Sequence, residues 1–224
     1  MKSNIQLKQE IVATGLSLVN KNLVAGTWGN VSSRTACGRL IAITPSGRSY
    51  RDLQADDIMI VDYHEHMVEG TLKPSSELPL HSAIYQARSD VQAIVHTHSI
   101  FASACAVARR SIPPIIEDLV QLAGGEIEVA DYALPGTKEL AANAVQALGN
   151  KNAVLLANHG VIGCGQSLDE ALTACELVEK AARIYIYANQ LGGAVVLSDE
   201  DVASMHTFYL EQYRKRQGIG RCNE

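Results

Sequence analysis

Apolar residues along the chain occur partly as helix-spaced stripes and partly as short continuous runs. Ile5, Ile11, Val12 and Leu16 form a stripe at helical spacing, which predicts an amphipathic helix over residues 5–21. Similar patterns predict helices over residues 76–88, 99–107, 137–148, 167–190 and 198–213. Short runs bounded by Gly, Pro or Asp predict strands over residues 40–43, 58–61, 91–96, 153–157 and 161–164.

The order of these segments indicates the fold class α/β. Several predicted strands follow one another without a regular helix between them, which favours a mainly antiparallel sheet covered by helices over a doubly wound parallel sheet. No repeat, low-complexity tract or long linker interrupts the sequence, so residues 1–224 are predicted to form a single domain. The glycine-rich loops typical of nucleotide-binding sites are absent from the sequence.

Composition and charge exclude several classes of partner. Hydrophobic residues make up 47% of the chain and charged residues 19%, as in ordinary globular enzymes. The net charge is -5, and the short basic clusters Arg109-Arg110 and Arg214-Lys215-Arg216 are interpreted as solvated surface, so we expect no nucleic-acid partner.

The expected location of the protein is cytoplasmic. The first ten residues lack the apolar centre of a signal peptide, and no run reaches the roughly 20 apolar residues that span a bilayer, so no membrane partner is expected. The five cysteines, an odd number without a C-x-x-C pair, are typical of free thiols in a reducing compartment. They are Cys37, Cys105, Cys164, Cys175 and Cys222.

Three histidines follow two of the predicted strands and are candidate metal ligands. His96-Thr97-His98 ends one apolar run, and alternate residues of a strand share a face, so both imidazoles can converge on one ion. His159, in Asn158-His159-Gly160, can supply a third nitrogen at the same sheet end. Each signal is weak alone, but three imidazoles with an open position are typical of a catalytic zinc-type site.

Three segments rich in Ser, Thr, Asn and Gly accompany these histidines. Ser75 and Ser76 precede a predicted helix, where free N–H groups and the helix dipole attract anions; the alternative is an ordinary helix cap followed by the acid Glu77. Residues 26–32 and 44–47 combine small residues with short hydroxyl side chains, as loops that contact phosphate do. Together the three segments suggest a phosphate-binding rim around a metal.

Residues 26–32, 44–47, 74–77, 96–98 and 158–160 resemble, in this order, the motifs of the class II aldolase and adducin-head family. That family includes fuculose-1-phosphate aldolases and ribulose-5-phosphate 4-epimerases, and the resemblance extends over about residues 6–213. It implies α/β/α layers around a mainly antiparallel sheet, and a homotetramer with active sites between subunits.

The resemblance also implies roles for individual residues. His96, His98 and His159 are similar to the family's ligands for one Zn²⁺ ion, and Glu77 to its acid/base. The implied phosphate-binding set is Gly29, Asn30, Thr44, Ser46, Gly47, Ser75 and Ser76. The implied activity is that of a metal-dependent lyase, an aldolase that cleaves a ketose or deoxyketose 1-phosphate to dihydroxyacetone phosphate and an aldehyde through a metal-bound enediolate.

One departure from the family leaves the reaction open. The family's fuculose-1-phosphate aldolases have a tyrosine shortly after an Ile-Pro segment, whereas here Ile112-Pro113 leads to Glu117; this residue either replaces the tyrosine in catalysis or is a surface acid. Tyr209 and Tyr213 lie in the predicted C-terminal helix, where the family places another tyrosine, and either of them can correspond to it. The alternatives are a pentulose-phosphate 4-epimerase, a sugar-phosphate dehydratase or decarboxylase, and a non-catalytic adducin-like head, which would have no reason to retain this set of residues.

Overall fold

One mixed sheet of eight strands organises the chain. The structure, a computed structural model, describes residues 3–216. The strands are β1 Asn30–Arg34, β2 Leu40–Ile43, β3 Met59–Asp62, β4 Met67–Glu69, β5 Ala93–Thr97, β6 Val129–Ala130, β7 Ala153–Leu156 and β8 Gly160–Gly165. Their order across the sheet is β4-β3-β2-β1-β5-β8-β7-β6, and every neighbouring pair is antiparallel except β6 and β7.

Helices cover both faces of this sheet. They are α1 Asn4–Asn20, α2 Leu78–Ala87, α3 Ile100–Val107, α4 Glu117–Ala123, α5 Lys138–Leu148, α6 Leu168–Gln190 and α7 Asp199–Phe208. A π-helical segment, Tyr209–Tyr213, and a last helical turn, Arg214–Arg216, continue α7, and a short 3-10 helix, Ala55–Asp57, precedes β3. Ser3, Thr137 and Ser167 cap α1, α5 and α6 through their side-chain oxygens.

The two faces of the sheet bury separate hydrophobic clusters, which gives the α/β/α layering. Successive residues of a strand point to opposite faces. Val95 therefore packs into the cluster that includes residues of α1, α3, α4 and α6, whereas Ile94 packs into the cluster that includes residues of α2 and α5. The same alternation places Asn30, Ser32 and His96 on the α2 side of the sheet. The predicted α/β class and mainly antiparallel sheet are confirmed.

The first helix is confirmed, but the predicted buried face is only partly right. Ile11 is fully buried, whereas Ile5 and Leu16 are exposed. The face that packs on the sheet includes Leu7 and Leu18, together with Gly15, whose missing side chain leaves room for the ring of Tyr50. The face of α1 at the sheet therefore shares Ile11 with the predicted stripe but also includes a glycine, which an apolar pattern does not reveal.

Several elements are too short, too exposed or too polar to give a recognisable pattern, and the sequence did not predict them. β1, with the sequence Asn-Val-Ser-Ser-Arg, overlaps the segment 26–32 that the sequence predicts to be a loop, and of that segment only residues 26–29 are loop. β4 is exposed, β6 has two residues, and α4 has seven. In β1, hydrogen-bonded polar side chains replace apolar ones in the sheet interior, so the usual strand signature is missing.

Two further observations bear on expectations from the sequence. Among residues 3–216, no helix is both long and apolar enough to cross a membrane. Cys37, Cys105, Cys164 and Cys175 are free thiols, and Cys222 lies outside the described residues.

α6 packs directly against β8 because the strand carries glycines at the contact. A methyl group at Gly163 would lie 2.5 Å from the carbonyl oxygen of Ala171 and 2.7 Å from the sulfur of Cys175. We therefore expect Gly163→Ala to lower the free energy of unfolding by about 1 to 3 kcal/mol, the usual cost of adding methyl groups to a packed core. Urea denaturation measures this change, and a variant as stable as the parent would contradict the close contact.

Candidate metal centre

The three predicted histidines lie together where β1, β5 and β8 meet. His96 is the penultimate residue of β5, opposite Asn30 of β1 and Ile162 of β8. His98 follows β5, and its N–H donates to the carbonyl of Leu23 at 3.0 Å. The Nε2 atom of His96 lies 2.8 Å from that of His98 and 3.2 Å from that of His159. Antiparallel pairing thus brings together residues 63 positions apart in the chain.

A tight turn between β7 and β8 orients His159. Asn158 has a φ of +54°, in the left-handed region that asparagine tolerates better than most residues. The N–H of His159 donates to the carbonyl of Leu156 at 3.0 Å and closes the turn. Arg109, which also has a φ of +54°, donates to the side-chain oxygen of Asn158. The turn that carries His159 is therefore held in place by a residue that lies outside the sheet.

Hydrogen bonding and burial leave the imidazoles ready to bind a cation. Nδ1 of His96 donates to the carbonyl of Val161 at 3.0 Å, which directs the Nε2 lone pair into the cluster. Burial, followed by the neighbouring imidazoles, holds the pKa of His96 well below its usual value. Burial also lowers the pKa of His98 to about 4, with His159 adding to the effect. Both rings are neutral at neutral pH, as metal ligation requires.

Glu77 completes the cluster from the start of α2. Its Oε2 lies 3.1 Å from Nε2 of His96, and its Oε1 lies 3.2 Å from Nε2 of His159. The carboxylate is buried, and its Oε1 has no hydrogen-bond partner. The N–H of Glu77 donates to the hydroxyl of Ser75 at 3.3 Å, and this contact fixes the backbone position from which the Glu77 side chain extends.

The four side chains fit a divalent metal ion. Their lone pairs converge at separations that are repulsive without a shared cation. A tetrahedral zinc ion with ligand bonds of about 2.0–2.1 Å holds pairs of ligand atoms roughly 3.3 Å apart, similar to the separations found here. His96, His98 and His159 therefore form a group that can hold a metal. Glu77 lies where it can contact the ion or a molecule bound to it.

The predicted phosphate-binding loops also lie together. The N–H of Ser75 donates to the carbonyl of Thr44 at 3.0 Å, and the N–H of Ser46 donates to that of Lys73 at 2.9 Å. Gly29 has a φ of +82°, and a side chain there would lie 2.7 Å from the carbonyl oxygen of His96. The glycine therefore lets the first loop approach the strand that carries the metal ligand.

Some members of the predicted phosphate-binding set are buried and already hydrogen-bonded within the protein, whereas others are exposed. Asn30 is buried and hydrogen-bonded to Glu77, while the hydroxyl of Thr44 accepts from the N–H of Val31 at 3.2 Å. Ser46, Gly47 and Ser76 are exposed. Their role in phosphate binding stays a prediction, and the exposed members have the greater free hydrogen-bonding capacity.

Glu117 is not joined to the cluster. It is exposed at the first position of α4, and no hydrogen bond or ion pair connects it to the histidines among residues 3–216. The hydroxyl of Tyr209 donates to Glu170 at 2.9 Å and is buried, whereas Tyr213 is exposed. Within a single chain, none of these three candidates is hydrogen-bonded to the metal ligands.

Two features of the site escaped the sequence analysis. His81 and Tyr85 lie on the same face of α2 as Glu77, at spacings of four residues, and both connect to the cluster through β1. That helical spacing was the available signal. The exposed indole of Trp28 stacks on His98 with ring centroids 6.0 Å apart.

Comparison with known proteins identifies relatives over almost the whole chain. The family described as Class II Aldolase and Adducin N-terminal domain matches residues 9–186. A 5-deoxy-D-ribulose 1-phosphate aldolase of Bacillus thuringiensis serovar kurstaki is 35% identical, over 88% of this chain and 92% of its own. L-fuculose phosphate aldolase of Escherichia coli K12 is 39% identical, over 88% and 91%. A solved L-fuculose 1-phosphate aldolase superposes with a TM-score of 0.89 at 40% identity, over 94% and 98%.

Replacement of any one of the three histidines by alanine should remove the bound metal and leave the core folded. We expect a loss of affinity larger than the roughly 10- to 100-fold typical of removing an outer-shell partner of a metal ligand. Metal content after dialysis, measured together with circular dichroism, checks this. His64→Ala, an exposed histidine in the β3–β4 turn, is the control and should retain metal. A metal-replete His98→Ala variant would contradict the site.

Proposed function

Because the chain belongs to the class II aldolase and adducin N-terminal domain family, we propose that it is a zinc-dependent aldolase. Its proposed substrate is a ketose or deoxyketose 1-phosphate, and its products are dihydroxyacetone phosphate and an aldehyde. The observation that carries the proposal is the convergence of three imidazole nitrogens and Glu77 beside hydroxyl-rich loops. The activities named for the relatives support the substrate class.

The protein's residues supply binding, charge and proton transfer. When bound, zinc supplies a Lewis acid that withdraws electron density from the ketone oxygen of the substrate. His96, His98 and His159 would hold it, and because neutral imidazoles carry no charge, the ion would keep its positive charge.

Glu77 holds and moves the proton at the carbon beside the ketone. Its Oε2 accepts an N–H from Asn30 at 2.9 Å, which leaves Oε1, without a hydrogen-bond partner, to take up and return the proton. In cleavage, the hydroxyl on the aldehyde-side carbon loses its proton as the carbon–carbon bond breaks, and Glu77 delivers one proton to the carbon beside the ketone, so no net proton is gained or lost. In the reverse aldol addition, it removes that proton.

The phosphate contributes binding energy away from the reacting atoms. We propose that Ser75 and the exposed groups of Ser46, Gly47 and Ser76, with the backbone near Gly29, bind it. Such remote contacts orient the ketone over the metal and lower the entropic cost of reaching the transition state.

The proposed assembly is a homotetramer with active sites between subunits. Large apolar side chains remain exposed in the single chain, including Ile100 at 73%, Trp28 at 66% and Leu134 at 65%, as expected of surfaces that other subunits cover. Glu117, exposed at the start of α4, is then available to a neighbouring subunit as the aldehyde-side proton donor. The mass in solution, measured by light scattering, tests the assembly.

A substrate screen tests the proposed reaction. Zinc-loaded protein is incubated with ketose 1-phosphates, deoxyketose 1-phosphates and pentulose 5-phosphates, and both dihydroxyacetone phosphate and epimers are measured. We expect release of dihydroxyacetone phosphate from a 1-phosphate. Epimer formation without release would favour a pentulose-phosphate 4-epimerase, loss of water or carbon dioxide a dehydratase or decarboxylase, and no turnover with no bound metal an adducin-like head.

Glu77→Gln should keep the metal and slow the reaction. The amide cannot take up or return the proton, so kcat should fall by about a hundredfold or more, the usual scale of general acid/base catalysis. Steady-state kinetics on the zinc-loaded variant measures this. Glu139→Gln, which also removes a negative charge from the start of a helix, is the control and should turn over normally. Normal turnover by Glu77→Gln would remove Glu77 from the mechanism.

Ser75→Ala and Ser76→Ala should raise KM selectively for a phosphorylated substrate. A lost hydrogen bond to a charged group is worth about 1.5–3 kcal/mol, or one to two decades in KM. Any residual reaction with the unphosphorylated sugar should scarcely change. Ser167→Ala, which removes the cap of α6, should lower stability and spare KM. Equal losses on both sugars would show that these serines do not bind phosphate.

A further inference from the structure

A continuous chain of polar side chains leads from the hydrophobic interior to Glu77. The hydroxyl of Tyr85 lies 2.9 Å from that of Ser32, which lies 2.6 Å from Nδ1 of His81. Nε2 of His81 is hydrogen-bonded to the side-chain oxygen of Asn30. The amide nitrogen of Asn30 then donates to Oε2 of Glu77 at 2.9 Å. All five side chains are buried.

The chemistry of these groups allows one order of donors and acceptors when Glu77 is ionised. A carboxylate only accepts, so Asn30 must turn its NH₂ group towards Glu77 and its oxygen towards His81. Nε2 of His81 must then carry the proton and donate, which leaves Nδ1 to accept from the hydroxyl of Ser32. Ser32 in turn accepts from Tyr85. Every bond in the chain therefore depends on the Nε2–H tautomer of His81.

The surroundings hold His81 in this neutral form. The imidazole is fully buried, and burial lowers its pKa to about 3 even though the nearby Glu77 acts in the opposite direction. The two ring nitrogens have one partner each, Ser32 and Asn30. A neutral ring with both nitrogens engaged has a fixed orientation, and it fixes the amide next to it.

The backbone places this chain so that it acts on the carboxylate. Glu77, His81 and Tyr85 follow one another at intervals of four residues along one face of α2. Asn30 lies opposite His96 in the β1–β5 pairing, so its amide is close to one of the candidate metal ligands. The carboxylate thus lies between one amide donor and the imidazoles of His96 and His159, and without that donor nothing else described holds Oε2 through a hydrogen bond.

We propose that His81 is a positioning residue: by donating from Nε2 to Asn30 it orients the amide that holds the Glu77 carboxylate in its reactive position. This inference rests on the proposed function, because it assigns to His81 the geometry of the acid/base and not a contact with substrate. It also gives the side chain of Asn30 a role in holding Glu77, in addition to the role in phosphate binding expected of it.

Variants at two points of this hydrogen-bonded chain, His81 in its middle and Tyr85 at its far end, separate positioning from packing. His81→Leu removes the donor to Asn30, so kcat should fall by about ten- to hundredfold, the scale of a displaced catalytic group, with KM little changed and metal retained. Tyr85→Phe removes a buried hydroxyl from the far end, and should lower the thermal midpoint while kcat stays close to the parent's. His81→Gln, which can place an amide donor near the position of Nε2, should recover part of the lost kcat.

A double-mutant cycle tests whether His81 acts through Glu77. In the Glu77→Gln background the proton-transfer group is already absent, so adding His81→Leu should leave kcat nearly unchanged. A further loss as large as in the parent enzyme would overturn the proposal. So would an unchanged kcat in His81→Leu, or an equal loss of kcat in Tyr85→Phe.

Crystal structures of the zinc-loaded parent and of His81→Leu provide a measurement independent of turnover. We expect the Asn30 amide to rotate in the variant and its 2.9 Å contact with Oε2 of Glu77 to be lost. An unmoved carboxylate would overturn the proposal. If the parent cleaves no ketose 1-phosphate, the proposed function fails, and the position of Glu77 in these structures still decides whether His81 holds it. If His81→Leu does not fold, the same structural comparison is made with His81→Gln, in which Glu77 should stay in place.

Discussion

The metal-site side chains repel one another in the absence of a cation, so the elements around them must hold them together. Nε2 of His96 lies within 3.2 Å of two further imidazole nitrogens and of a buried carboxylate oxygen. Burial disfavours protonation of His96, so a shared proton does not readily relieve this crowding. A divalent cation relieves it. Binding of such an ion would therefore stabilise the folded arrangement.

The scaffold holds this unfavourable arrangement with rigid elements. Antiparallel pairing of β1, β5 and β8 fixes His96 beside Asn30, and the left-handed turn at Asn158 fixes His159. Side chains of α2 are hydrogen-bonded to β1, and Glu77 is the N-cap of this helix. Because α6 packs on β8 through glycines, the strand that supports the ligands has little room to move. The exposed loops are left for the substrate, as expected of a site whose precision comes from the sheet.

Most of the fold could be predicted from the sequence, and so could the histidines and Glu77 of the site. The buried hydrogen bonds that connect these residues could not. Strands with continuous apolar runs were recognisable, and so were the histidines that follow them. β1 was missed because Asn30 and Ser32 are polar in positions where strands usually bury apolar residues. Their side chains form hydrogen bonds with the N-cap of α2 and with a residue of that helix, about fifty residues away in sequence. Side-chain periodicity cannot report such long-range pairing. Glu117 shows another limit, since the role proposed for it requires a neighbouring subunit, which the sequence of one chain does not place.

X-ray absorption spectroscopy of the zinc-loaded protein reports the metal's own surroundings and therefore tests whether the three histidines hold the ion. We expect three imidazole nitrogens at about 2.0–2.1 Å, completed by oxygen, with one zinc per chain. Loss of the imidazole scattering in a variant lacking His96 would assign those ligands to this cluster. A spectrum dominated by sulfur, or by fewer than three imidazoles, would contradict the metal centre and the chemistry proposed for it.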